Sequence, residues 1–381
     1  MIERLGEHLI RRYLKVFPAV GIAGPRQCGK TTLAKAMGAE YFDLEQEDER
    51  VRLDLMWSGL IKGKTLTVLD EAQTWPAIFP RLRGAIDQRR SVNGRFLILG
   101  SVSPALMTQV SEALTGRIAQ IELAPLTATE VPPAKLEQLW RGGGFPEPFL
   151  KKTTYPAWQQ SYLSLLAKRD LPLWGLPAAP AITSRLFKML AAVHGGQQNA
   201  SELGAALGLS HPTIQSYLDF LEGAFLIRRL PPYFKNLTKR LVKTPKVYWR
   251  DSGLLHSLLG LSAKAPITSQ PWIGTSWEGW VIEQILSTRH ARGQQTDAWY
   301  FRTSDGLECD LVLECNGRRE LIEIKLTTAP AMADLTKLRK IRDLIGADRL
   351  VLLTRSETTH TTGDTWVTDL PTYLDATKIM R

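Results

Sequence analysis

The residues best equipped for chemistry lie near the N-terminus. Gly24-Pro25-Arg26-Gln27-Cys28-Gly29-Lys30-Thr31-Thr32 fits G-x-x-x-x-G-K-[ST] at every defined position. Glycines in that pattern let backbone N–H groups converge on phosphate oxygens. A helix beginning near Lys30 adds the positive end of its dipole. All nine residues are therefore expected to line a nucleotide phosphate site. Lys30 is expected to reach the β and γ phosphates, and Thr31 to offer its hydroxyl to Mg²⁺. A second constellation, Leu66-Thr67-Val68-Leu69-Asp70-Glu71, is a short apolar run that ends in two acids. There Asp70 would orient the magnesium shell and Glu71 would polarise the attacking water. ATP and Mg²⁺ are the ligands these residues call for.

Positioning them requires strands that stop where the polar residues begin. The apolar run from Pro18 to Ala23 reads as a buried strand feeding the phosphate loop, and Leu33-Ala34-Lys35-Ala36-Met37 continues as a helix. A third strand, Arg95 to Gly100, ends in Ser101-Val102-Ser103. Ile2, Leu5, Leu9 and Tyr13 fall at helical spacing, so an amphipathic helix is expected to pack on this first domain. Alternating strand-like and helical stretches over residues 1–150 are the α/β signature.

GPRQCGKTTL, the strand ending LDEAQ, GSVSP, LTGR and LAPLTATE together resemble a large group of prokaryotic AAA-type ATPases. Those proteins carry a C-terminal domain of unknown function related to PD-(D/E)XK nucleases. The resemblance covers most of the chain. It implies that Ser101 or Ser103 senses the γ-phosphate. It offers Arg117, which follows Gly116, either as an arginine finger acting in trans or as a surface residue. A finger acting in trans implies a homo-oligomeric ring. Cys28 departs from the small aliphatic residue expected at its position; a packed, inert thiol is the simplest reading, alkylation sensitivity the other.

Residues 151–265 read as a helical linker followed by a winged helix-turn-helix. A helix from Ser184 precedes a second with Ser201 as its expected N-cap. A turn at Gly208 then leads to a third helix capped by Ser210. Arg228, Arg229, Lys235, Lys239, Arg240, Lys243, Lys246 and Arg250 follow with no acid between them. With a net charge of +10, such a strip suits a DNA backbone, bound without base specificity and in a salt-dependent way.

Residues 266–381 read as a PD-(D/E)XK-like α/β domain. Asn316-Gly317 between alternating runs is a strong hairpin signal. That turn sets Asp310 opposite Glu323 and Glu308 opposite Lys325, all on one face. Facing carboxylates repel unless a divalent cation lies between them. Asp310, Glu323 and Lys325 match D-x₁₂-E-x-K, and Glu278 on the preceding helix resembles the additional acid of nuclease folds. Glu278, Asp310 and Glu323 are thus the expected metal ligands, with Glu323 and Lys325 catalytic. A salt-bridged, silent hairpin face is the alternative.

Three cysteines lack the spacing of a zinc site, and no uncharged apolar run approaches membrane-spanning length, which is about 18 residues or more. With no export signal at the N-terminus, the expected setting is the cytoplasm, without membrane contact. Two functional classes follow. One is an ATP-hydrolysing machine that acts on DNA, as a motor or remodeller coupled to the nuclease-like domain. The other is an ATP-dependent switch that binds a protein partner, its nuclease-like domain catalytically silent.

Overall fold

The computed structural model describes residues 2–101, 114–151, 154–234, 244–356 and 358–377. Ser103, Lys235, Lys239, Arg240 and Lys243 lie outside them.

Five parallel strands form the first sheet. They are β1 (Ala19–Gly24), β2 (Glu40–Asp43), β3 (Thr67–Asp70), β4 (Phe96–Ser101) and β5 (Ile118–Glu122), in the order β2-β3-β4-β1-β5. Both faces of such a sheet must be covered, so its inner strands β1, β3 and β4 are mainly apolar. Val20, Ile22, Val68, Leu97 and Leu99 pack beneath α1 (Gly6–Leu14) and α2 (Lys30–Ala36), through Leu9, Ile10, Leu33 and Ala34. Ala19, Leu69, Phe96 and Ile98 face the other way, against α3 (Glu47–Lys62) and α4 (Ile78–Gln88), through Leu53, Leu82 and Ile86. The carboxyl ends of β1 and β3 thereby lie on one rim with β4 between them, where open α/β sheets hold ligands.

The helical segment centres on α5 (Ala157–Leu165), a wide turn at Leu166–Asp170, α6 (Pro180–Ala192), α7 (Ala200–Leu207) and α8 (His211–Gly223). Asn199, not Ser201, caps α7, because its side chain accepts from both Ser201 N and Glu202 N. Ser210 caps α8 as expected, and Gly208 takes the left-handed conformation between the two helices at φ 69°. An antiparallel ribbon, β6 (Ile227–Leu230) with β7 (Lys246–Trp249), follows.

The C-terminal region opens with the long helix α9 (Ile273–Ala291). Its sheet has six strands: β8 (Asp297–Arg302), β9 (Glu308–Cys315), β10 (Arg318–Ile324), β11 (Arg349–Thr354), β12 (His360–Thr362) and β13 (Thr365–Asp369). The order is β12-β13-β11-β10-β9-β8. Asn316 and Gly317 both have positive φ, 52° and 74°, as a type I′ turn demands. The register they set, Arg318↔Cys315 through Ile322↔Leu311, is the one expected from the turn. α9 covers one sheet face, and α10 (Met332–Ile345) covers the other through Leu338, Ile341 and Ile345. Trp140 packs edge-on against Trp277 of α9, so the segment after the first sheet is anchored to the last domain.

Candidate nucleotide site and C-terminal carboxylate cluster

The phosphate loop takes its shape from glycines that nothing larger could replace. A Cβ on Gly24 would lie 2.2 Å from the Leu123 carbonyl oxygen, and Gly29 has φ 101°. Lys30 is buried and turned into the loop, donating to the carbonyls of Gly24 at 2.8 Å and Pro25 at 2.9 Å. Thr31 Oγ1 donates to Asp70 Oδ2 at 2.6 Å, so the two expected magnesium residues meet at the rim. Glu71 follows in the left-handed region at φ 49°, and Gln73 Nε2 donates to its Oε2. Ser101 pairs with Gly24 across β4 and β1, which sets its backbone beside the start of the loop.

Several residues at this site carried no sequence signal. Tyr41 donates its hydroxyl to Asp70 Oδ2 at 2.7 Å, and its own pKa is raised by burial and by that carboxylate. Arg4 donates to the Cys28 carbonyl at 2.8 Å and pairs with Glu130 at 3.0 Å, bracing the loop from outside. Arg26 Nη1 lies 2.8 Å from Asp170 Oδ1, and Tyr162 donates to the Arg26 carbonyl at 3.1 Å. Cys28 is fully buried with its thiol on the Leu123 carbonyl, as a packing residue would be. Arg117 stands just before β5, at the amino-terminal end of the parallel strands and so opposite the loop-bearing rim, where Asp87 holds it bidentately at 2.8 and 2.9 Å. It makes no part of this chain's own phosphate site.

The basic strip requires correction. Arg228 pairs with Glu283 at 2.8 Å, and Arg229 with Glu222 and with Asp219 at 2.6 Å. Arg250 pairs with Glu283 at 2.6 Å and with Glu122 at the end of β5. Lys246 pairs with Glu278 at 3.1 Å and Glu308 at 2.6 Å. These four cations are half-buried or buried and are neutralised by acids from other elements, so they do not offer free charge to a phosphate backbone. Glu122, Glu283, Arg228 and Arg250 instead join the ATPase sheet to α9 through β6 and β7.

The expected metal set is corrected too. Asp310 is buried and accepts from Ile324 N at 2.8 Å. Burial, then Glu278 and Glu323, push its pKa well above the usual carboxylate range. Glu278 accepts from Tyr248 OH at 2.6 Å as well as from Lys246. Glu323, also buried, is taken by Lys325 at 2.9 Å and by Lys337. Among the described residues, no three acid, His or Cys side chains gather into a ligand set for a metal ion. In this arrangement the three expected ligands are held separately: the Lys246 ammonium takes Glu278 together with Glu308, Lys325 and Lys337 take Glu323, and Asp310 accepts from Ile324 N. Burial pulls the Lys246 pKa down, but Glu278, Asp310 and Glu308 outweigh it and hold it above the ordinary lysine value.

Residues 16–132 match an AAA domain family. Residues 133–265 and 273–373 match two domains of unknown function, DUF8612 and DUF4143. Two mycobacterial proteins, Uncharacterized protein Rv2008c of Mycobacterium tuberculosis and Uncharacterized protein Mb2031c of Mycobacterium bovis, are each 38% identical over 330 residues. The match takes in 85% of this chain and 74% of each relative. The chain belongs to their family, and it is an AAA-type P-loop ATPase. Among solved structures it is similar to the Walker-type ATPase PABY2304 of Pyrococcus abyssi. That similarity has 14% identity and a TM-score of 0.44, over 68% of this chain and 96% of the other. Among the described residues, no helix of this ATPase is long and apolar enough to cross a membrane.

Proposed function

We propose that the chain is an ATP-hydrolysing switch whose nucleotide cycle acts through the helical segment on a catalytically silent, PD-(D/E)XK-like C-terminal domain. The observation that carries the hydrolytic reading is the meeting of Thr31 and Asp70 at 2.6 Å beside Lys30, with Glu71 next along the chain. Two hard oxygen donors at a phosphate loop suit Mg²⁺, which when bound with ATP neutralises charge on the β and γ oxygens. Lys30, now on two loop carbonyls, is placed to exchange them for phosphate oxygens. Gln73 holds the Glu71 carboxylate, which can polarise a water for in-line attack once released.

Silence of the C-terminal domain is supported by Lys246, whose ammonium satisfies Glu278 and Glu308 where a nuclease would carry its metal. The covalent path from ATPase to this domain runs through the α6–α8 helices and the β6–β7 ribbon, a winged-helix arrangement. The buried Glu122–Arg250–Glu283–Arg228 network links the same parts laterally. A protein partner is the target this reading favours.

A DNA target is the second reading, favoured by the net charge of +10 and the run Lys235, Lys239, Arg240 and Lys243. Phosphate release measured with single-stranded, duplex and four-way-junction DNA at several salt concentrations separates the two. The switch reading expects turnover indifferent to all three and no Mn²⁺-dependent cutting of the DNA. Salt-sensitive stimulation by one DNA form, or cutting abolished by Glu323→Ala, would replace it.

A further inference from the structure

The phosphate loop carries a second cation whose resting partner lies outside the ATPase sheet. Arg26 sits between Gly24 and Gly29, within the phosphate-loop motif itself. Its side chain is 24% exposed, with Nη1 2.8 Å from Asp170 Oδ1 and Nη2 4.0 Å from Glu45. Asp170 is buried and closes the wide π-type turn Leu166–Asp170 of the helical segment. Such turns frequently sit at functional sites, because they distort a helix to present one side chain. Arg169 Nε also donates to Asp170 Oδ1, at 2.9 Å, so Asp170 keeps a counter-ion if Arg26 departs. Arg26 would in turn exchange one anionic partner for another. Arg117 stands at the amino-terminal end of the strands, away from the loop and bound to Asp87, and leaves this role open within the chain.

We propose that Arg26 is a catalytic cation in cis, restrained in the resting protein by Asp170. This rests on the reading of the chain as an ATP hydrolase. With ATP bound, the Arg26 guanidinium leaves Asp170 for the γ-phosphoryl oxygens, where charge develops during transfer. The bond that forms joins the water oxygen to the γ-phosphorus, and the bond that breaks joins that phosphorus to the β–γ bridging oxygen. The water proton passes to Glu71 and the bond's electron pair leaves with ADP. Arg26 stays protonated throughout, acting only by charge and by its forked donors. The helical segment would then govern turnover by holding or releasing one side chain. Any event that shifts the Leu166–Asp170 turn would change the rate without touching the nucleotide.

The test uses the full chain and steady-state phosphate release against Mg²⁺-ATP concentration. Arg26→Gln, Asp170→Asn and the double variant are compared with the wild type, with melting temperature as the folding check. Arg26→Gln is expected to lower kcat about tenfold or more while KM stays within about threefold, the pattern of an interaction made in the transition state. Asp170→Asn, which keeps the side-chain volume, is expected to raise kcat severalfold. The double variant is expected to behave as Arg26→Gln alone. An unchanged kcat in Arg26→Gln, or a rise in KM only, overturns the proposal. So does an Asp170→Asn protein that folds yet turns over no faster than the wild type. If Asp170→Asn fails to fold, Arg26→Gln alone decides, because its side chain already reaches the surface. Failure of the hydrolase reading itself looks different: the wild type would then release no phosphate above a Lys30→Ala blank.

Discussion

Replacing Lys246 by methionine keeps most of the stem and removes the ammonium that neutralises the C-terminal acids. The lysine is 4% exposed and touches Glu278 and Glu308. Removing one partner of a buried ion pair costs about 3–5 kcal/mol, because the other charge stays buried and unpaired. The side chains of Glu278 and Glu308 are 16% and 25% exposed, which puts the expected loss near the lower end, about 3 kcal/mol. The vacated position then keeps the two carboxylates that held the ammonium, Glu278 and Glu308, and a divalent cation is expected to enter between them. Mn²⁺ at about 100 times its Kd would restore about 2.7 kcal/mol. Thermal unfolding without nucleotide reads both effects, in an Asp70→Asn background so that the phosphate loop holds no metal. The wild-type lysine should leave the melting temperature indifferent to Mn²⁺. Lys246→Met should lower it in EDTA and regain most of the loss with Mn²⁺. Mn²⁺ stabilisation with Lys246 intact, abolished by Glu278→Gln, would refute the argument that the ammonium occupies the cation position.

Arg250→Ala removes the guanidinium shared by Glu122 and Glu283, and is expected to destabilise the protein by about 3–5 kcal/mol in urea unfolding. A loss under about 1 kcal/mol would mean the link between sheet and α9 is solvent-screened. Burial pushes the Glu283 pKa up, but Arg228 and Arg250 outweigh it and hold the carboxyl down at about 2, below its ordinary 4.5. Its folded pKa being depressed, the stabilisation is complete above pH 4.5 and is lost as pH falls toward 2, in total on the order of 3 kcal/mol. Urea midpoints recorded from pH 5 down to pH 2 should fall more steeply for the wild type than for Glu283→Gln. Parallel curves would contradict that assignment.

Local patterns were readable from the sequence where neighbouring residues decide the outcome. The phosphate loop is such a case, because Gly24 and Gly29 serve backbone needs that no other residue meets. The hairpin is another, since Asn316-Gly317 sets the turn and the turn sets every later pair. Charge was misread because its partners are distant in the chain. Arg228 and Arg250 meet Glu283 of α9, and Arg250 also meets Glu122 of the first domain, neither visible from a run without acids. The same limit hid Lys246, which enters the carboxylate cluster from a ribbon belonging to the preceding segment. Tyr41, Arg4 and Asp170 reach the nucleotide site only through tertiary packing. The N-cap of α7 moved from Ser201 to Asn199 because the asparagine side chain reaches two free N–H groups at once.

The most direct test of the central claim is steady-state phosphate release from Mg²⁺-ATP by the full chain, beside Lys30→Ala and Glu71→Gln. The wild type should turn over, and Lys30→Ala should lose both turnover and binding of a non-hydrolysable ATP analogue. Glu71→Gln should keep analogue binding while kcat falls about 10²-fold or more, as loss of the group that polarises the water requires. Turnover that survives both substitutions would place the chemistry elsewhere and contradict the account.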